Sequence, residues 1–137
     1  MTRDEVLAII DHAYATRMRS DAAALADFWA PDATFEIAGE ASLIEAIPGA
    51  NPSPGQPALE QLMQLIEMKS IQRLQAVVDG NSAAILSRAE ISFPGREPFE
   101  TLLYDLWELD DTGKVRSVLQ FADTARMAAE MQVLTQT

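Results

Sequence analysis

Cysteine is absent from the 137-residue chain, histidine occurs once, and 10 basic residues stand against 21 acidic ones. Without cysteine there is no disulfide, no thiolate nucleophile and no cysteine-ligated zinc. With a single histidine no multi-histidine metal site forms, so neither a metal nor another cofactor is expected. The net charge of −11 repels phosphate backbones and anionic lipids, which argues against nucleic acid or a membrane surface as partner. No apolar run approaches the roughly 20 residues that span a bilayer. The opening residues MTRDEVLAIIDHAY read as a charged helix rather than a signal peptide, so a cytoplasmic protein is expected. Ser20, Ser87 and Ser117 have no evident histidine partner, which argues against a serine hydrolase. Gly49 to Gly55 lacks phosphate-loop spacing. The length fits one domain over residues 1–137, enough to bury about two thirds of its unfolded surface.

What is present is periodic. Thr2 and Glu5 have the spacing of a capping box, and Val6, Ile10, Tyr14 and Met18 then recur every four residues, a helix to about Arg19. Ser20-Asp21 breaks it. A short second helix carrying Leu25, Phe28 and Trp29 is expected to stop at Pro31, followed by a strand over 32–38 with Phe35 and Ile37 on one side. Gly39, Pro48, Gly49, Pro52, Pro54, Gly55 and Pro57 crowd the next stretch. It reads as a long surface loop, a candidate lid, with one helical turn at 42–47. A third helix is expected from Pro57 with Leu59, Leu62, Met63 and Ile66 inward. From Ser70 the period is two: strands over 71–78 and 83–93, then a hairpin from Phe99 to Phe121 around Asp110-Asp111-Thr112-Gly113, and a last short helix from about Asp123. Helices segregated from an antiparallel meander make an α+β domain.

Asp105 stands out. It lies between Leu103, Tyr104, Leu106 and Trp107, where strand alternation sends it to an apolar face. A four-residue turn pairs Leu109 with Lys114, so that Trp107 faces Arg116, Asp105 faces Val118 and Leu103 faces Gln120. Tyr104, Leu106, Leu119 and Phe121 then form the opposite face. Both faces are apolar. One packs on the helices, and a homodimer through the other is expected.

The stretch AYATRMRSDAAALADFWAPDATFEIAG, followed by YDLWELDDTGKVRSVLQFAD, resembles the NTF2-like superfamily, especially its SnoaL-like and ketosteroid-isomerase-like branches. The resemblance covers nearly the whole chain and is weakest over 39–70. It implies a cystatin-like cone: three helices from the N-terminal half against a strongly curved, mostly antiparallel sheet, with a pocket inside and dimers through the outer sheet face. The superfamily spans isomerases, cyclases, dehydratases, epoxide hydrolases, transport factors and scaffolds, so fold alone leaves function open.

Carried across residue by residue, the isomerase site implies that Tyr14 and a protonated Asp105 act as catalytic hydrogen-bond donors to an oxyanion, while the base position falls on Ile37. Glu40, Glu45 or the substrate would then supply the base. The cyclase branch implies Asp105 as general acid or base. The epoxide-hydrolase pattern wants an arginine where Leu103 stands, and the dehydratase patterns want histidines that are missing. The expected pocket is lined by Tyr14, Phe28, Phe35, Ile37, Leu103, Asp105, Trp107, Val118 and Gln120, and takes a small, mostly apolar molecule with a carbonyl or hydroxyl. A cofactor-free isomerase, cyclase or lyase, and a non-enzymatic interaction domain using the outer sheet face, are the alternatives to simple binding.

Overall fold

The computed structural model describes residues 1–47, 53–54 and 62–131. Helix α1 (Arg3–Met18) opens on the capping box: Thr2 Oγ1 accepts from the Glu5 N–H at 3.2 Å, and the Thr2 N–H donates to Glu5 Oε1 at 3.1 Å. It breaks at Ser20, whose φ of 57° turns the chain. Asp21 then caps α2 (Ala22–Ala26) by accepting from the Ala24 N–H at 3.0 Å.

Helix α2 is shorter than the sequence leads one to expect. Phe28 and Trp29 are not helical, and β1 (Trp29–Ile37) starts before Pro31. The last strand captures the chain: the Val115 N–H donates to the Phe28 carbonyl at 2.6 Å, and Trp29 pairs with Val115. Pro31 falls where the β1 pairing is interrupted between Trp29 and Thr34, so its missing N–H breaks no ladder.

The stretch after β1 is more ordered than a loop over its first part. Helix α3 (Ala41–Ala46) is capped by Glu40 and buries Leu43, Ile44 and then Ile47. The two-residue strand β2 (Ser53–Pro54) pairs antiparallel with β1. Residues 62–65 are helical (α4), with Leu62 and Ile66 buried. The candidate lid, Pro57 and Leu59 lie outside the described residues.

Strands β3 (Glu67–Asp79), β4 (Ser82–Ser92), β5 (Phe99–Leu109) and β6 (Val115–Phe121) form the antiparallel meander, and α5 (Thr124–Met131) follows. The sheet order is β2-β1-β6-β5-β4-β3, with β1–β6 the parallel pair. Strand β3 is longer than its alternation indicated, and most of it is exposed on both sides. Its register slips between Met68 and Ser70 and again between Arg73 and Gln75. Such bulges bend a strand and strengthen its twist, which wraps the sheet into an open, curved wall around α1.

The β5–β6 register differs from the four-residue-turn expectation. Leu109 pairs with Val115, and a further bulge at Arg116 puts Glu108 opposite Ser117. Trp107 therefore faces Val118, and Asp105 faces Gln120. The total displacement is two residues, so side-chain parity survives. Arg116 sits in the bulge and is exposed rather than beside Trp107. Buried side chains form two clusters. One gathers Ile37, Leu43, Ile44, Ile91 and Leu103 with α5. The other gathers Val6, Ile10, Ile85, Trp107 and Val115, and Phe35 packs against both.

The hairpin turn is tied to α1. Asp110 Oδ1 accepts from the N–H groups of Thr112 and Lys114, each at 2.9 Å, and Gly113 takes φ +87°. A Cβ on Gly113 would meet Ile9 Cδ1 at 3.1 Å. Gly113→Ala is expected to destabilise the fold by about 1–2 kcal/mol, the cost of the left-handed backbone plus the contact. Urea unfolding measures it, and an unchanged midpoint would contradict this account of the turn.

Candidate functional site

Asp105 is the buried charge of the described core, 2% exposed. Strand β5 carries it inward between Leu103 and Trp107, which alternation places on the same face. Helix α1 brings Tyr14 to it. The Tyr14 hydroxyl donates to Asp105 Oδ2 and accepts from the Trp107 indole N–H at 3.2 Å. The Tyr14 and Trp107 rings meet edge to face, 5.3 Å between centroids. Proton donation therefore runs Trp107 to Tyr14 to Asp105, with the carboxylate as final acceptor.

The other carboxylate oxygen, Oδ1, is buried without a hydrogen-bond partner. Gln120 faces Asp105 across the ladder and favours its charged form somewhat, but it does not close a hydrogen bond to Oδ1. Burial pushes the Asp105 carboxyl up from an ordinary 3.8 to about 6, against the opposing pull of Tyr14 and Gln120. Burial, and then the neighbouring Asp105 charge, push Tyr14 well above the usual phenol range, so it keeps its proton. Near neutral pH the pair is a neutral tyrosine donating to a mostly ionised carboxylate.

Asp105 Oδ1 belongs to a residue lining a cavity of about 90 Å³ that lies between the two core clusters. Of the nine expected lining residues, Tyr14, Phe35, Leu103, Asp105, Trp107, Val118 and Gln120 line it. Phe28 does not. With α2 ending early, its ring sits edge-on to His12, 4.9 Å between centroids, and lines a separate surface cleft with Lys114. Ile37 is also elsewhere, in the cluster covered by Leu43 and Ile44 of α3. Glu45 is exposed on α3 and Glu40, also exposed, is occupied as its cap, so neither stands at the cavity as a base.

Sequence reasoning missed Arg17 and Trp29, which both line the cavity. An i+4 stripe overshoots the helical period by about 40° per step, so over the 12 residues from Val6 to Met18 it drifts about 120°. Met18 is accordingly exposed, while Ala13 and Thr16 are buried. On the true 3.6 period Arg17 lies within about 20° of Val6, a signal that was available. Trp29 was hidden by its assignment to a helix. Among the described residues no group of three or more His, Cys, Asp or Glu side chains is placed to hold a metal ion.

No family model matches the sequence, and a search of curated proteins finds no match. Solved structures do match. An NTF2-like protein of Burkholderia pseudomallei aligns over 95% of this chain and 98% of its own, at TM-score 0.78 and 14% identity. TerC, co-crystallised with polyporic acid, aligns over 93% and 98%, at 0.76 and 12%. The epoxide hydrolase/cyclase-like enzyme SalBIII, of pyran ring formation in salinomycin, aligns over 89% and 93%, at 0.68 and 18%. The chain has the NTF2-like fold, an α+β architecture with a curved, unclosed sheet.

The raised carboxyl sets a pH signature. Asp105 binds its proton more tightly folded than unfolded, so its contribution to stability is complete below about pH 4 and is lost as pH rises through about 6. The change amounts to about 3 kcal/mol. Asp105→Asn removes it. The stability difference, Asp105→Asn minus wild type, is expected to grow by about 2.5 kcal/mol between pH 4 and pH 7.5 in urea unfolding. A constant difference would mean that Asp105 is not buried as described.

Proposed function

We propose that the cavity binds a small, mostly apolar molecule bearing a hydroxyl, or a carbonyl with an acidic neighbouring C–H. Asp105 receives that hydrogen as the general base of a cofactor-free isomerase- or cyclase-type reaction. One observation carries the reading: Asp105 Oδ1 is buried, unpartnered and part of a cavity-lining residue, while Oδ2 is held by Tyr14. A buried acceptor left open calls for a donor. A carboxyl near 6 is poised to take a proton at neutral pH and return it. Tyr14 orients the base and steadies its charge, so a separate base at Ile37 is unnecessary. SalBIII and TerC, similar in fold, are consistent with pocket chemistry of this class on such a scaffold.

The cavity limits ligand size. Its 90 Å³ is below the roughly 150 Å³ of a cavity that takes up benzene. A single ring enters if the flexible Met68 and Met127 side chains in the wall yield. Neutral phenol is expected to bind about 3- to 10-fold more tightly at pH 7.5 than at pH 5, with a midpoint near 6, because its hydroxyl donates to the ionised form. Calorimetric titration measures this, with Asp105→Asn expected to give a flat profile. A flat wild-type profile would remove Asp105 from the site. For catalysis, NMR follows solvent deuterium exchange into a small cyclic 1,3-diketone. Exchange faster with wild type than with Asp105→Asn supports the base; equal rates leave a binding pocket only.

A second observation supports a homodimer. Tyr104, Leu106 and Phe121 are 44%, 38% and 50% exposed on the outer sheet face, adjoining Leu119 and Leu86 through the ladder. Such a contiguous apolar face is unusual on a monomer. Sedimentation at micromolar concentration is expected to give a dimer that Leu106→Glu converts to monomer. A monomeric wild type would exclude it.

A further inference from the structure

We infer that the cavity takes an apolar monocarboxylate, and that Arg17 is the residue that binds its carboxylate. The inference rests on the pocket proposed above and adds the charge of its ligand.

Arg17 follows Tyr14 by three residues, so the two project from the same side of α1, about 4.5 Å apart along the axis. Its Nη2 donates to the Ile66 carbonyl at 2.6 Å, which ties α1 to the end of α4. Its Nη1 is buried and has no hydrogen-bond partner among the described residues. Among the described residues Arg17 forms no salt bridge. The ion pairs of the described residues engage Lys69, Arg73, Arg88, Arg96 and Arg126. In a chain of net charge −11, a partly buried cation with no ion-pair partner among the described residues lines a largely apolar cavity. Shielding an unpaired charge from water is costly, and Asp123, the other acid of the lining, is exposed and caps α5, so the arrangement calls for an anion that the described residues do not supply.

A second donor points the same way. The Trp29 indole N–H is likewise buried without an acceptor, and Trp29 lines the same cavity. Residues that line the cavity thus carry, among the described residues, two unmet donors and one unmet acceptor, Asp105 Oδ1. Asp105 does not answer Arg17: no ion pair joins them, and Asp105 Oδ1 has no hydrogen-bond partner. The two poles remain separate. A complementary ligand puts an anionic oxygen at Arg17 and a hydrogen-bond donor at Asp105, with a short apolar body between them. The α1 spacing and the small cavity both restrict that body to about one ring.

The test compares benzoate, 4-hydroxybenzoate, benzyl alcohol and phenol at pH 7.5 by calorimetry. Wild type is expected to bind benzoate at least 10-fold more tightly than benzyl alcohol, a comparison that needs no variant. Arg17→Met is expected to abolish that preference, with benzoate falling to the affinity of benzyl alcohol while phenol still binds. Arg17→Lys, which keeps the charge and should fold where Arg17→Met does not, is expected to retain part of the preference. 4-Hydroxybenzoate is expected to exceed benzoate in wild type but not in Asp105→Asn. Benzoate binding no tighter than benzyl alcohol, or a preference that survives Arg17→Met, overturns the assignment; phenol binding that still depends on Asp105 would then leave the Asp105 reading standing. If the preference holds but phenol ignores Asp105, the Asp105 reading falls alone. If no probe binds, both fall.

Discussion

The hydrogen bond from Tyr14 to Asp105 joins helix α1 to strand β5 across 91 residues of chain, and the site is arranged around it. A carboxylate does not enter a core unaided. Here the Trp107 N–H supports the tyrosine oxygen, and the tyrosine hydrogen supports one carboxylate oxygen. That is half of what an ionised carboxylate needs. The other oxygen is left open, and burial outweighs the help of Tyr14 and Gln120, so the carboxyl rests near neutrality instead of in its ordinary acidic range. A fully satisfied aspartate would be a structural tie. A half-satisfied one retains capacity for a ligand.

The cavity beside it follows from how the sheet is bent. Bulges in β3 and β6 curve the wall, and the helices cover it in two groups, α1 and α2 over one half, α3, α4 and α5 over the other. The halves meet imperfectly. Phe35 touches both, and the gap between them is the cavity. Outside the gap, charges are managed conventionally: Arg73 pairs with Asp11, Arg88 with Glu100, and Arg96 and Arg126 with Glu130. Arg17 and Asp105 depart from that pattern, and both line the same space.

Much of this was readable beforehand, for identifiable reasons. The capping box, the meander and the two-faced hairpin depend on local chemistry and on a period of two, which survives errors in register. The turn was misjudged by one residue and the Arg116 bulge added another. Because the errors summed to two, Asp105, Trp107, Val118 and Gln120 still shared a face. Helix α1 was less forgiving, since an approximate period accumulates error and conceals an inward arginine near the helix end. Phe28 and Trp29 escape the sequence pattern because Pro31 reads as a helix stop, whereas pairing with β6 draws the chain into the sheet before it. That is long-range information which a window of sequence does not contain.

The direction of the central hydrogen bond also changes the chemistry that the family resemblance implied. In the isomerase arrangement a tyrosine and a protonated aspartate both donate to an oxyanion, and a second carboxylate removes the proton. Here Tyr14 spends its hydrogen on Asp105, so it is not free to donate to a ligand while the bond is intact. With its carboxyl near 6, Asp105 is mostly ionised at neutral pH and accepts. The roles are inverted: the aspartate becomes the basic pole, and donors to an oxygen must come from elsewhere in the cavity. Two of its lining residues, Arg17 and Trp29, carry buried N–H groups with no acceptor among the described residues. Ile37 at the resemblance's base position is then no defect. Asp123, the other carboxylate of the lining, is exposed and caps α5 by accepting from the Arg126 N–H; a carboxylate at Ile37's place, close to Asp105, would repel its charge.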